Sequence, residues 1–293
     1  MNRWFKRGLV AVAGLALLAG AAVGVGTQWA ERRMARKIAV DVKPVAAATT
    51  AEAIERGRYL YASRGCTDCH GANGGGRTFV DDGELKIAGP HIGPGPGSVT
   101  AGYRDEDWVR SIRHGVHPSG RPLLVMPSED YNRFTDADLA ALVGYIQQMP
   151  PAEGGAAVLK LPLPMRVLYG FGVIPDAAAR IDHRLPPQQP VPEGVTIEHG
   201  RYVANMCQGC HGAGLEGGKV ASGPPDWPAA ARLAGPGNVI AQRYPDADSF
   251  AKMFKSGKRA DDSAIAAMPF EALSKISDTD VRALHLYLRS LGR

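Results

Sequence analysis

Apolar and polar positions divide this chain into stretches of different character. Between Gly8 and Ala30 no residue is charged, while Arg3, Lys6 and Arg7 precede that run and Glu31, Arg32 and Arg33 follow it directly. The run is rich in Gly, Ala, Val and Leu and is long enough to cross a hydrocarbon layer of roughly 30 Å at about 1.5 Å per residue. Trp29 falls at its far end, where an aromatic side chain suits the lipid–water boundary. The pattern predicts an N-terminal transmembrane helix that serves as a signal anchor. A cleaved signal peptide, processed near Ala19-Gly20-Ala21, is the alternative.

Beyond residue 43 the apolar positions fall at helical spacing, and the same pattern occurs twice. Glu55-Arg56-Gly57-Arg58-Tyr59 returns as Glu198-His199-Gly200-Arg201-Tyr202, and Trp108 to Gly115 returns at an offset of 142 as Phe250 to Gly257. The latter two read as short amphipathic helices, each closed by a glycine that tolerates left-handed cap geometry. Met126-Pro127 and Met268-Pro269 are also 142 apart, and from them the copies align without a gap through Tyr145 and Tyr287. Thr135 and Ser277 stand at helix N-cap positions with Asp138 and Asp280 three residues on, close to a capping box. Leu139, Leu142, Val143 and Ile146 then recur with helical period, as do Val281, Leu284 and Leu288. The expected fold is mainly α: the transmembrane helix, then two similar domains with long loops. Residues 1–43 form the anchor and juxtamembrane segment, 44–150 the first domain, 151–195 a connector and 196–293 the second domain.

Nine prolines fall between Pro150, at the end of the first domain, and Pro192 in the connector, which favours an extended, semi-rigid segment. Its stretch 159–174 is nevertheless too apolar for a free linker, so it is expected to pack over the domains' seam, a partner or the bilayer.

All four cysteines fall in two copies of one motif, Cys66-Thr67-Asp68-Cys69-His70 and Cys207-Gln208-Gly209-Cys210-His211. Cys-x-x-Cys-His is the attachment pattern of c-type haem. On one helical turn, residues i and i+3 share a face, so two thiols can bond the two vinyl groups along one porphyrin edge. The next residue, His70 or His211, then offers an imidazole to the iron. A disulfide, a redox thiol pair or a zinc site would leave the duplicated histidine unexplained.

An iron held in this way needs a ligand from the opposite side. Met126 and Met268 keep the same distance from their cysteine pairs to within one residue, and each precedes a proline that stiffens its loop. A thioether ligand raises the potential relative to a second histidine. His114 and His117 are rivals in the first half and Met253 in the second. His91 reads as a surface residue or a propionate partner, and His183, His199 and His285 as solvated.

Composition adds two constraints. Aromatic residues make up only 7% of a 293-residue chain, which leaves room for a large apolar group that is not an amino acid. The net charge of +5 is concentrated in residues 1–43, with eight Lys/Arg against two Asp/Glu. Residues 44–150 sum to −3, 151–195 to zero and 196–293 to +2, so no basic groove for nucleic acid is legible.

On these motifs the chain resembles a membrane-anchored dihaem class I cytochrome c, similar to the cytochrome subunits of periplasmic alcohol, aldehyde and gluconate dehydrogenases. The resemblance covers about 55–150 and 196–293. It implies two covalently bound haem c groups, held by Cys66 and Cys69 and by Cys207 and Cys210. His70 and His211 would be the proximal ligands and Met126 and Met268 the distal ones. It further implies single-electron transfer between a redox partner, such as a dehydrogenase, and a downstream cytochrome or oxidase, with no bond chemistry at the haems. Several such subunits carry three haems, whereas this chain has two motifs. A dihaem enzyme, of peroxidase or thiosulfate-oxidising type, is the rival. It would call for an open iron or a spare cysteine, and both methionines are present while no cysteine is left over. Haem of this kind is attached outside the cytoplasmic membrane, which would place the N-terminus inside and both domains in the periplasm.

Overall fold

The computed structural model describes residues 3–220, 223 and 227–292. Helix α1 (Arg3–Ala35) runs unbroken through the apolar stretch, and within it only Gly26 and Ala30 are buried. Nearly all the rest of the apolar run lies exposed, and the helix is long and apolar enough to cross a membrane.

The first domain starts with α2 (Ala51–Ser63), capped by Thr50, followed by the motif helix α3 (Cys66–His70). A long loop leads to α4 (Asp105–His114), the short α5 (Ser128–Tyr131) and the terminal helix α6 (Asp136–Gln147). The second domain repeats the order with α8 (Ile197–Val203), α9 (Gln208–His211), α10 (Val239–Arg243), α11 (Ala247–Ser256), α12 (Phe270–Leu273) and α13 (Asp278–Ser290). The predicted caps form in both copies: Thr135 Oγ1 accepts from the Asp138 amide and Ser277 Oγ from the Asp280 amide, each at 3.0 Å. Gly115 (φ 63°) and Gly257 (φ 69°) close α4 and α11 in the left-handed region.

In each domain the first and last helices cross at a glycine. A Cβ on Gly57 would come within 2.0 Å of the Ala141 carbonyl oxygen, and one on Gly200 within 2.0 Å of the Ala283 carbonyl oxygen. Backbone meets backbone there, so neither site can take a side chain without moving a helix. Around these crossings lie two separate apolar cores, one built on Leu60, Trp108, Leu139 and Leu142, the other on Val203, Phe250, Val281 and Leu284.

A small antiparallel sheet, not foreseen in the sequence, combines β1 (Arg77–Asp81), β2 (Lys86–Gly89) and β3 (Val158–Lys160). The third strand comes from the connector, so 158–160 joins the first domain. Helix α7 (Leu163–Gly170) then packs on the end of α1, with Gly170 lying so close to Gly26 that a Cβ would meet its carbonyl oxygen at 1.9 Å. Trp29 and Phe171 pack edge to face at 5.4 Å, and Arg36 is paired with the buried Asp176, which also accepts from Tyr169. The apolar half of the connector thus clamps the anchor to the first domain and leaves the seam to the later half. There Arg180 bridges Glu129 of the first domain and the Gly209 carbonyl of the second.

The seam itself is held by reciprocal contacts. Tyr59 donates to Asp280 at 2.7 Å and accepts from the Ser277 amide at 3.0 Å. Tyr202 donates to Asp138 at 2.6 Å and accepts from the Thr135 amide at 3.3 Å. Each aspartate has a second partner: Arg56 holds Asp138 through two bonds of 2.8 and 3.0 Å, and His199 donates to Asp280 at 2.7 Å. Arg64, itself buried, reaches across to Asp280 at 2.6 Å. His199 is therefore a buried seam residue and not a solvated one, and His285, also buried, bonds the Tyr244 carbonyl.

Burial alone would raise the Asp280 carboxyl, but Arg64, Tyr59 and His199 outweigh it and hold it at about 2. A carboxyl depressed from its unfolded value near 3.9 contributes stability that is complete above about pH 4 and is lost as pH falls toward 2. The midpoint of urea unfolding should fall over that window in the wild type, and less steeply in Asp280→Ala. That variant should also lose about 3–5 kcal/mol near neutral pH, because it leaves Arg64 buried and unpaired. Gly200→Ala should cost about 1–3 kcal/mol by overpacking the helix crossing, measured in the same titration.

Candidate functional site

The four groups expected to grip a prosthetic group in the first domain meet in one cavity. Cys66, Cys69, His70 and Met126 all line a space of about 540 Å³, within the roughly 300–1,000 Å³ that takes a whole organic cofactor. The remaining walls are mostly apolar, with Ile92, Trp108, Ile112, Leu142 and Ile146 among them. The cavity also draws on segments outside the first domain: Met34, from the last turn of the anchor helix, and Ala156 to Leu159 of the connector.

His70 is oriented by a bond from its Nδ1 to the Pro90 carbonyl at 2.9 Å. A carbonyl only accepts, so Nδ1 carries the hydrogen and Nε2 keeps its lone pair for a metal. His211 makes the same bond to the Ala231 carbonyl at 2.7 Å, and both acceptors lie 20 residues past the histidine. Burial lowers the affinity of both rings for a proton, which favours the neutral ligating form. The cysteines are unpaired. Burial pushes the Cys66 thiol up to about 12 and Cys69 to about 11, the reverse of the depressed value that a redox-active pair requires. Among the described residues no three His, Cys, Asp or Glu side chains cluster as a metal cage, which goes against a shared zinc site.

A second test of fit is the Trp108 indole. Its Nε1 is buried and has no hydrogen-bond partner, although it belongs to a side chain lining this cavity. A buried unpaired donor is costly and calls for an acceptor. The carboxylate of a haem propionate is of the right kind, and His117 and Arg121 line the same cavity. In the second domain the matching position is Phe250, buried in the core and without a donor. Met268 and Cys207 pack on that same core. The loop between His211 and α10 includes residues 221, 222 and 224–226, which lie outside the described set.

The rival ligands separate. His117 reaches the first cavity, whereas His114 is buried against His183, with Nδ1 atoms 3.1 Å apart. His183 donates from Nε2 to the Ala178 carbonyl, so its Nδ1 must accept from His114. Burial, with help from His183, Arg113 and Arg110, lowers His114 to about 4 and keeps the pair neutral. His183 is thus half-buried and engaged, not solvated. His91 is fully buried, and both its nitrogens sit 3.2 Å from the carbonyls of Pro94 and Pro96, so neither the surface nor the propionate reading survives. Met253 is a core residue of the second domain.

Both motif helices face the seam. The Gly209 amide, inside the second motif, donates to Asp130 on α5 at 2.6 Å, and α12 packs on α3, with Glu271 paired to Arg77. Each attachment motif therefore abuts the segment that follows the other domain's methionine. A side chain at Gly209 would collide with Asp130, its Cβ lying 2.7 Å from the carboxylate.

Two helical units, each with a Cys-x-x-Cys-His helix and an imidazole turned by a carbonyl, define a c-type cytochrome built from two domains. The chain belongs to the family described as cytochrome c oxidase, cbb3-type, subunit III, whose pattern matches residues 52–146 and 198–288. It is similar to the fructose dehydrogenase cytochrome subunit of Gluconobacter japonicus, with 28% identity over 274 residues, covering 85% of this chain and 54% of that protein. The gluconate 2-dehydrogenase cytochrome c subunit of Pantoea cypripedii is 26% identical over 276 residues, 82% of this chain and 59% of the relative. The cbb3-type oxidase subunit CcoP of Helicobacter pylori (strain 52) is 28% identical over 122 residues, 42% of this chain and 37% of that one. The chain thus spans little more than half the length of the first two. It binds haem c covalently, and a cytochrome of this kind transfers electrons.

Trp108→Phe removes the indole donor while keeping an aromatic ring, the one found at the matching position of the second domain. If that donor serves a propionate, the potential of the first domain's haem should fall, because less of the carboxylate charge near the iron is neutralised. Redox titration reads the effect, and an unchanged potential would remove the indole from the site.

Proposed function

We propose that the chain carries two haem c groups and passes single electrons between a dehydrogenase and a downstream cytochrome or oxidase at the periplasmic face of the cytoplasmic membrane. The observation that carries this reading is the meeting of Cys66, Cys69, His70 and Met126 in one apolar cavity, together with the repeat of the His70–carbonyl bond at His211. In this assignment Cys66 and Cys69 hold an edge of the first porphyrin, and Cys207 and Cys210 an edge of the second. His70 and Met126 ligate the first iron, and His211 and Met268 the second. The bound haem supplies an iron that alternates between two oxidation states.

The protein's own residues do the rest. Pro90 and Ala231 fix the imidazoles, the apolar walls exclude water, and the seam holds the two attachment motifs in register. Fixed geometry of this kind lowers the reorganisation that accompanies each electron. The names of the relatives favour a dehydrogenase as donor, and the cbb3 relatives favour an oxidase-linked acceptor. The uncharged stretch of α1, from Gly8 to Ala30, with both motifs in domains beyond it, supports an anchored protein whose haem domains lie in the periplasm.

Haem quantitation against protein should give two haems per chain. Met126→Ala should open the first iron to carbon monoxide in the reduced state and lower its potential, and Met268→Ala should do the same at the second. Met34→Ala, the other thioether at the first cavity, should leave ligation unchanged. If Met34→Ala and not Met126→Ala opened the iron, the distal assignment would pass to Met34.

A further inference from the structure

The apolar half of the connector has a face that the protein leaves uncovered. From Leu163 to Ile174 the single charged residue is Arg166, and it is paired with Glu31 at the end of the anchor's uncharged run. One side of α7 and the turn after it meets α1: a Cβ on Gly26 would lie 2.8 Å from Val167 and 2.9 Å from Phe171, and Tyr169 and Gly170 are buried. Apolar side chains nevertheless remain exposed along this segment: Leu163 (51% exposed) at its start, Leu168 (41%) on the helix face turned from Val167 and Gly170, Val173 (58%) in the turn, and Phe171 itself at 44%. Four large apolar side chains in water on so short a segment would be costly, at roughly 25 cal/mol per Å² of apolar surface.

The position of α7 along α1 identifies what covers this face. Its contacts fall on Gly26, Trp29 and Ala30, the last residues before the charges begin, and so within about 6 Å of the end of the hydrocarbon-spanning stretch at 1.5 Å per residue. Phe171 packs on Trp29, and Trp29 and Val25, one turn before it on α1, are themselves exposed. Arg32, Arg33, Arg36 and Lys37 follow directly, at the level where lipid phosphates lie. We propose that α7 and the following turn lie in the outer leaflet of the phospholipid bilayer, as an interfacial helix seated against the anchor. The inference rests on the reading that α1 spans the membrane. It adds a second membrane contact, in the middle of the chain, that fixes the height of the first haem domain above the lipid. That domain cannot swing about the anchor, because β3 pairs with β2 and Asp176 is locked to Arg36.

The test uses the full-length haem-loaded protein in nanodiscs of phosphatidylethanolamine and phosphatidylglycerol. A photoreactive benzoylphenylalanine replaces, one at a time, Leu168, Val173, Leu15 in the anchor, and Leu286 on the exposed surface of the second domain; the haem spectrum of each variant verifies folding. Illumination and mass spectrometry should find lipid adducts at positions 168 and 173 in yields comparable to position 15, and about tenfold above position 286. Adducts at 15 but not at 168 or 173 would overturn the interfacial placement and leave the spanning reading intact. Absence of adducts at 15 as well would remove the spanning reading and this inference with it. Crosslinks from 168 or 173 to protein in place of lipid would identify the face as a subunit contact and equally overturn the proposal.

Discussion

The architecture depends on two carboxylates buried at helix starts. Asp138 and Asp280 each occupy the first turn of a terminal helix, where backbone N–H groups and the helix dipole favour negative charge. Each is then drawn across the seam by a tyrosine from the other domain. Removing such groups from water is unfavourable unless every oxygen is engaged, and here every oxygen is: Asp138 by Arg56 and Tyr202, Asp280 by Arg64, Tyr59 and His199. This network of paired carboxylates fixes one relative placement of the domains. Because α3 and α9 lie along the same seam, it also fixes how the two attachment motifs face each other.

Much of this was legible in the chain because it was written twice. The cysteine–histidine motifs, the Met-Pro loops, the Thr135 and Ser277 caps and the glycines closing α4 and α11 are local features with strong physical signatures, and duplication separated them from chance. The histidines were harder to read. His183, His199 and His285 read as solvated, and His91 as a surface residue or a propionate partner, because a lone histidine carries no periodic signal, yet each is held by a partner distant in sequence or buried among carbonyls. The Arg56-to-His199 exchange between the repeats was visible, but its meaning, two ways of holding a buried aspartate, depends on the assembled seam.

The first cavity shows a second limit of reading by segments. Division into anchor, domain, connector and domain follows the composition, but the walls around His70 come from three of those four pieces. Met34 lies within an otherwise charged turn and β3 within a proline-rich connector, and neither context suggests a cofactor wall. Gly26 and Gly170 carry the only local hint, since small residues at matching places allow two helices to approach closely. The connector's apolar residues are thereby used to join the long apolar N-terminal helix to the first domain.

The reciprocal tyrosine bonds have a consequence for how such a molecule can arise. Tyr59 meets the helix start of the second repeat just as Tyr202 meets that of the first, so the seam is isologous: the same patch of surface serves on both sides. A one-haem chain bearing that patch would be self-complementary and would pair with its twin about a two-fold axis. Joining the twins into one polypeptide keeps the pairing at any dilution and frees the halves to diverge, as Trp108 and Phe250, or Asp68 and Gly209, have done.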